Sequence, residues 1–271
     1  MLSVEKQMLF LLSKADELET QDMIRIYEKR GYSAPYIRNG LSRLKKDRYV
    51  ISPSRSAYRI TEVGRTFIRT INRKPEHYTL SWDGCWHLVL TSFPETDRKR
   101  RDQLRADLLQ TGFGQLHAGV YISPWPYREE LDELLRKHKA EGYATVFAGR
   151  LEHGEAPRDI AAKVWPLADT AQMYEEKRRW FSEEFKPILL KAAGNAPDDA
   201  KKMETDPLEL FILYLELGEQ INELYLIDPM LPEELLPEDW SAQRILRQLT
   251  ECMAQIKAAI PHDSAYSRYV N

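Results

Sequence analysis

Apolar side chains return at i, i+4 and i+7 as Ile37, Leu41 and Leu44, which marks one face of an amphipathic helix. The opposite face carries Asn39, Ser42, Arg43 and Lys46, with Arg38 and Lys45 on its flank, and no carboxylate precedes Asp47. Two amphipathic stretches lie upstream. "SVEKQMLFLLSKA" reads as a helix with Ser3 as cap. "TQDMIRIYEKRG" reads as a second, with Thr20 as cap, Met23, Ile26 and Tyr27 inward and Gly31 as terminator. The turn "GYSA" leads into the third helix, where Pro35 fits the first turn. "YVISPSRSAYRIT" alternates as two short strands around a polar tip, and "TEVGRTFIRTINRK" closes with a helix. This order predicts a winged helix-turn-helix over residues 1–75.

The period then changes. "CWHLVLTSF" is a near-continuous apolar strand. "TDRKRRDQLRADLLQTG" is a helix capped by Thr96, with Leu104, Leu108 and Leu109 inward and Gly112 at its end. "FGQLHAGVYIS" offers two short strands meeting near Ala118 and Gly119, "PYREELDELLRKHKAEG" a second helix and "YATVFAGRLE" a last strand. The β-α-β-β-α-β order predicts a ferredoxin-like domain over residues 76–155, its sheet antiparallel with both helices on one face. Residues 156–271 read as a helical domain: "DTAQMYEEKRRWFSEEFKPILLKAAG" and "DPLELFILYLELGEQINELYLI" are long periodic stretches around the loop "GNAPDDAKKMETD". "DPMLPEELLPEDW" must turn repeatedly, and a final helix covers about 241–259. The fold class is α+β.

Charge changes this picture. Residues 1–75 hold 16 Lys and Arg against 8 Asp and Glu, whereas the remaining residues hold 23 against 34. From Arg30 to Lys74 there are 12 basic residues and only two acids, Asp47 and Glu62. A basic unit on an acidic body is the asymmetry of a protein with one nucleic-acid-binding module. An α-helix fits the major groove, one face docked on its domain and the other bearing donors. Arg43 is the candidate for a bidentate contact to guanine and Asn39 for one to adenine. Arg38, Lys45 and Lys46 suit phosphates at the groove walls, and Tyr36 and Ser42 complete the face. Ser54 and Arg55 at the hairpin tip are placed for the minor groove or the backbone. A charged face alone also reads as a solvated helix; the density of the pattern favours double-stranded DNA.

Cys85 and Cys252 lie far apart without CxxC spacing, as expected of thiols in a reducing cytoplasm. The apolar run "MLFLL" is too short for a secretory leader, and no stretch approaches a membrane span.

Several motifs together resemble the PaaX family of bacterial repressors, which control phenylacetic acid catabolism. Arg38, Leu41, Arg43 and Leu44 fit its R-x-x-L-x-R-L-x-x-x-G recognition helix, and "SAYRITEVG" fits its wing strand. "WDGCWHLVL", "LLQTGFGQLHAGVYISP" and "DPMLPEELLPEDW" match three further family signatures in order. The resemblance implies a homodimeric repressor on a partly palindromic operator, released by an acyl-CoA effector, phenylacetyl-CoA, with no cofactor and no enzymatic activity. Two places depart from the family pattern. Arg48 stands where the family has Gly, a residue suited to left-handed backbone. Glu219, Asn222 and Glu223 stand where it carries a His and an Arg.

Two basic clusters are candidates for the effector's phosphates: Arg100 and Arg101 at a helix start, and Arg178 and Arg179 beside Trp180. Both also read as solvated faces paired with neighbouring acids. Trp82, Trp86 and Trp125 could frame an aromatic acyl pocket or simply pack the core. There is no GxSxG, HExxH or P-loop motif, and the six histidines show no ligand spacing. Two rival readings remain. One is a metal-dependent nuclease using the ferredoxin-like domain, for which only Glu95 and Asp97 lie near the end of the first strand. The other is a DNA-binding protein whose helical region serves oligomerisation without a ligand.

Overall fold

The computed structural model describes residues 4–15, 17–192 and 206–270. Ser3, read as a cap, and most of the loop read at 194–206 lie outside the described residues. In space the chain forms two compact units, each assembled from separate stretches of sequence. The first takes Met1–Ile71, Met173–Leu224 and Arg244–Asn271; the second takes Asn72–Gln172 and Tyr225–Gln243. The first unit therefore gathers the basic N-terminal segment and much of the helical C-terminal segment.

The first unit opens with α1 (Val4–Ser13), β1 (Leu18–Glu19), α2 (Thr20–Glu28) and α3 (Ala34–Lys46). The hairpin β2 (Val50–Ile51) and β3 (Ala57–Ile60) follows, then α4 (Glu62–Arg73). The three strands pair antiparallel in the order β1-β3-β2. Met8 and Leu12 of α1, Met23, Ile26 and Tyr27 of α2, and Ile37, Leu41 and Leu44 of α3 are all buried with Val50 and Ile60. The period read from the sequence is thus the period of burial. The turn that follows α2 closes at Gly31, whose φ of +83° and the Tyr32 N–H bonded back to the Tyr27 carbonyl make a left-handed stop.

The start of α2 differs from the expected cap. Glu19 occupies the N-cap position without a side-chain bond, and Thr20 is the first helical residue. Pairing of Glu19 with Ala57 brings the Ser56 carbonyl alongside. Both the hydroxyl and the N–H of Thr20 donate to it at 2.8 Å. Sheet pairing, invisible to local spacing, claims the hydroxyl.

Arg48 has a φ of +62°, the left-handed backbone that the departure from Gly implies. A Cβ there is strained by about 1 kcal/mol. Arg48→Gly is expected to raise the free energy of unfolding by up to ~1 kcal/mol in urea titration; a loss of stability would mean the Arg side chain contributes more than its backbone costs.

The second unit is built on β4 (Trp86–Thr91), α5 (Arg98–Thr111), β5 (Gly114–His117), β6 (Val120–Ser123), α6 (Arg128–Lys137) and β7 (Ala144–Gly149). All its strand pairs are antiparallel, in the order β5-β6-β4-β7. Leu104 and Leu108 of α5 and Leu131 and Leu135 of α6 share one cluster with Val89 and Tyr121, so both helices cover one face. Two expectations for α5 are corrected. Thr96 does not cap it: Glu95–Asp97 form a 3-10 turn, and Asp97 takes the N-cap position. Leu109 is 37% exposed, because Leu104 and Leu108 already fill the sheet-facing stripe.

The other sheet face, Trp86 and Ile122, is covered by α7 (Pro157–Val164) and by Leu231, Leu235 and Leu236 of the proline-punctuated run. Asp228 in that run is fully buried, accepting from the Tyr78 hydroxyl and, at 2.7 Å, from the Met230 N–H. The Trp125 indole donates to the Met230 carbonyl at 2.7 Å. The "DPMLPEELLPEDW" signature is a clasp on the sheet.

The remaining helices are α8 (Leu167–Trp180), α9 (Lys186–Ala192), α10 (Pro207–Ile227) and α11 (Ala242–Ala259), with a π-helical turn over Phe181–Phe185 before α9. Cys252 is buried and Cys85 only half-buried; both are free thiols. Among the described residues no helix is long and apolar enough to cross a membrane.

Candidate nucleic-acid interface

Docking Ile37, Leu41 and Leu44 inward turns the rest of α3 outward. Tyr36, Arg38, Asn39, Ser42, Arg43, Lys45 and Lys46 are all exposed, as are Ser54 and Arg55 at the hairpin tip. No acid lies in the first turn of α3, and Arg43, Lys45 and Lys46 fall in its last turn, where the helix dipole favours cations. The Tyr36 ring stacks on Tyr32 with centroids 5.8 Å apart, which fixes the entry of the helix. The Ser42 hydroxyl donates to the Arg38 carbonyl at 2.9 Å, so its donor is spent within the helix. At the tip, Ser56 takes a φ of +66° and Ser52 Oγ donates to the Ser54 carbonyl at 2.9 Å, which shapes the turn presenting Arg55.

Arg43 has a partner that spacing did not suggest. Its Nη1 donates to Glu5 Oε1 at 2.7 Å, across the contact of α1 with α3. On β3, Arg59 pairs with Glu17 at 3.0 Å. Neither pairing is marked by local periodicity.

The base of this face is anchored by a buried network. Gln7 Nε2 donates to Glu219 Oε1 at 2.6 Å, and Arg30 donates to both Gln7 and Glu219. The side chains of Arg30 and Glu219 are 9% and 3% exposed. Burial pushes the neighbouring Tyr27 phenol well above its ordinary range; Arg30 opposes this and Glu219 adds to it. Arg30 directly precedes Gly31 and the turn into α3, so the pair ties that turn to α10. Glu223, another of the residues that depart from the family pattern, accepts from Lys177 at 2.5 Å.

Among the effector candidates, Arg100, Arg101 and Arg178 are engaged with neighbouring acids. Arg100 lies 3.4 Å from Asp97, and Arg101 lies 3.3 Å from Glu95 and 3.4 Å from Asp102. Arg178 donates to Glu175 at 2.6 Å, Arg179 is exposed, and Trp180 packs on Phe185 at 5.0 Å between centroids. Trp86 and Trp125 are buried, and Trp82 meets Trp86 edge-on at 5.0 Å. Glu95 and Asp97, the acids of the nuclease reading, serve as partners of Arg98, Arg100 and Arg101.

A family model described as the PaaX protein central Cas2-like domain matches residues 79–161. A second, described as the PaaX-like protein C-terminal domain, matches residues 165–262. The chain belongs to the PaaX family. Among its PaaX relatives, Transcriptional repressor PaaX from Escherichia coli (strain K12) is 27% identical over 248 residues, covering 88% of this chain and 74% of that protein. A solved structure described as uncharacterized protein Rv0674 from Mycobacterium tuberculosis superposes with a TM-score of 0.54 at 23% identity, covering 89% of this chain and 90% of that one. That likeness speaks to the fold. Within the PaaX frame, the basic face of α3 lies in the segment before the two matched domains.

Proposed function

We propose that this PaaX-family chain is a DNA-binding transcriptional repressor that reads its operator with α3. The observation that carries the reading is the outward face of α3, on which Arg38, Asn39, Arg43, Lys45 and Lys46 are all exposed and to which the helix itself contributes no carboxylate. The helix order and three-stranded sheet of residues 18–60 support a winged helix-turn-helix, with α3 in the major groove and Arg55 on the hairpin beside it. The β5-β6-β4-β7 sheet supports a ferredoxin-like domain, to which we assign dimerisation. Two copies would place two reading helices in successive grooves, about 34 Å apart on one side of the duplex. Occupancy of the promoter then blocks transcription.

Lys46 is a phosphate contact in this account. Lys46→Ala is expected to weaken binding evenly across DNA sequences and to reduce the slope of log K against log salt by about 1. Fluorescence anisotropy over a salt series checks this; an unchanged slope would remove Lys46 from the interface.

For the effector we propose an acyl-CoA thioester, phenylacetyl-CoA, which favours a state of lower operator affinity through a coupling of about 1–3 kcal/mol. Its support is the resemblance of the sequence motifs to the PaaX repressors of phenylacetic acid catabolism. Addition of the thioester is expected to raise the melting temperature, as any ligand of the folded state does. No rise at saturating thioester would favour the helical region as a ligand-free oligomerisation module.

A further inference from the structure

The outward face of α3 carries only neutral and cationic side chains, yet the fold brings a carboxylate to it. Gly40 lies so close to α1 that a Cβ there would sit 2.6 Å from Met8 Cε and 3.5 Å from Glu5 Cγ. The missing side chain lets the helices approach. Glu5, one turn before Met8, then meets Arg43, one turn after Gly40, with Nη1 donating to Oε1 at 2.7 Å. The Glu5 side chain is 16% exposed and that of Arg43 is 59% exposed. Arg43 is therefore held from the protein side while much of its guanidinium remains in solvent.

A guanidinium is a planar fork of five N–H donors. Holding Nη1 restricts that plane and leaves the Nε and Nη2 edge as a parallel pair of donors, the arrangement that suits guanine O6 and N7. A side chain already held loses less rotamer freedom on binding. The carboxylate also offsets the charge of Arg43, so the pair adds little to non-specific attraction for phosphate.

We propose that Glu5 is a positioning residue that sets the base selectivity of α3, presenting Arg43 to guanine and withholding it from phosphate. This rests on the DNA-reading function proposed above. The test compares full-length wild type, Glu5→Gln, Glu5→Met, Arg43→Ala and the double variants by anisotropy, on the fragment the wild type prefers and on random-sequence duplex, over a salt series. Without the carboxylate, the ratio of specific to non-specific affinity is expected to fall about tenfold. Binding to random duplex should tighten, its salt slope steepening by about 1 as Arg43 joins the phosphate contacts. In the Arg43→Ala background, loss of Glu5 should leave the ratio unchanged. A merely structural role for Glu5 would weaken both affinities in parallel and leave the slope alone, which overturns the proposal. So does the same fall in ratio without Arg43. A wild type that prefers no fragment refutes the DNA-reading function itself, before any variant is compared.

Discussion

Glu219→Ala is expected to lower the free energy of unfolding by about 3–5 kcal/mol, the cost of leaving a buried cation without its partner. Arg30 is 9% exposed at its side chain, and the carboxylate it bonds is 3% exposed. Removing that carboxylate strands the guanidinium where water cannot replace it, and it also strips an acceptor from Gln7. Urea unfolding followed by circular dichroism reads the change, with an unaltered m-value showing that the same cooperative unit unfolds. Because the loss comes from an uncompensated charge, Arg30→Met combined with Glu219→Leu should recover most of it. A loss below about 1 kcal/mol for the single variant would show a pair solvated like a surface bridge, and would undo the claim that α10 anchors the turn before α3.

Arg43→Ala should remove about 1–3 kcal/mol of discrimination at one base pair of the operator. Its effect is expected to differ in kind from that of Lys46→Ala. Loss of a bidentate base contact relaxes preference at a single position, whereas loss of a phosphate contact lowers affinity for every duplex. Anisotropy on duplexes carrying each of the four base pairs at successive positions separates the two. Arg43→Ala behaving as Lys46→Ala does would place Arg43 at the backbone and α3 in a different orientation.

Local pattern carried much of the architecture. Ile37, Leu41 and Leu44 are buried as their spacing requires, and Gly31 stops α2 with positive φ. The strands around Ala118 and Gly119 pair as β5 and β6, and Arg48 takes the left-handed backbone that its departure from Gly suggested. What failed were cap and facing assignments, and what stayed hidden were partners distant in sequence. Thr20 looks like a cap until the Ser56 carbonyl arrives through sheet pairing, and Leu109 looks inward until Leu104 and Leu108 fill the stripe. Periodicity says which face of a helix is buried, but not which element covers it. Gln7 and Glu219 are 212 positions apart, and Arg30 and Glu219 are 189. Glu219, noted in the sequence as a departure from the family pattern, forms an ion pair with Arg30 that its spacing does not announce. Gly40 was the available clue to the Glu5 contact, since a glycine on the inward side of a helix signals close approach of another backbone.

The central claim is sequence-specific DNA binding by the basic face of α3, and the most direct measurement is an anisotropy titration of duplexes spanning the region upstream of the protein's own gene. The account requires one fragment to bind at least about 10³-fold more tightly than random duplex, with log K falling linearly as log salt rises. Equal affinity for every fragment, or binding indifferent to salt, would contradict it.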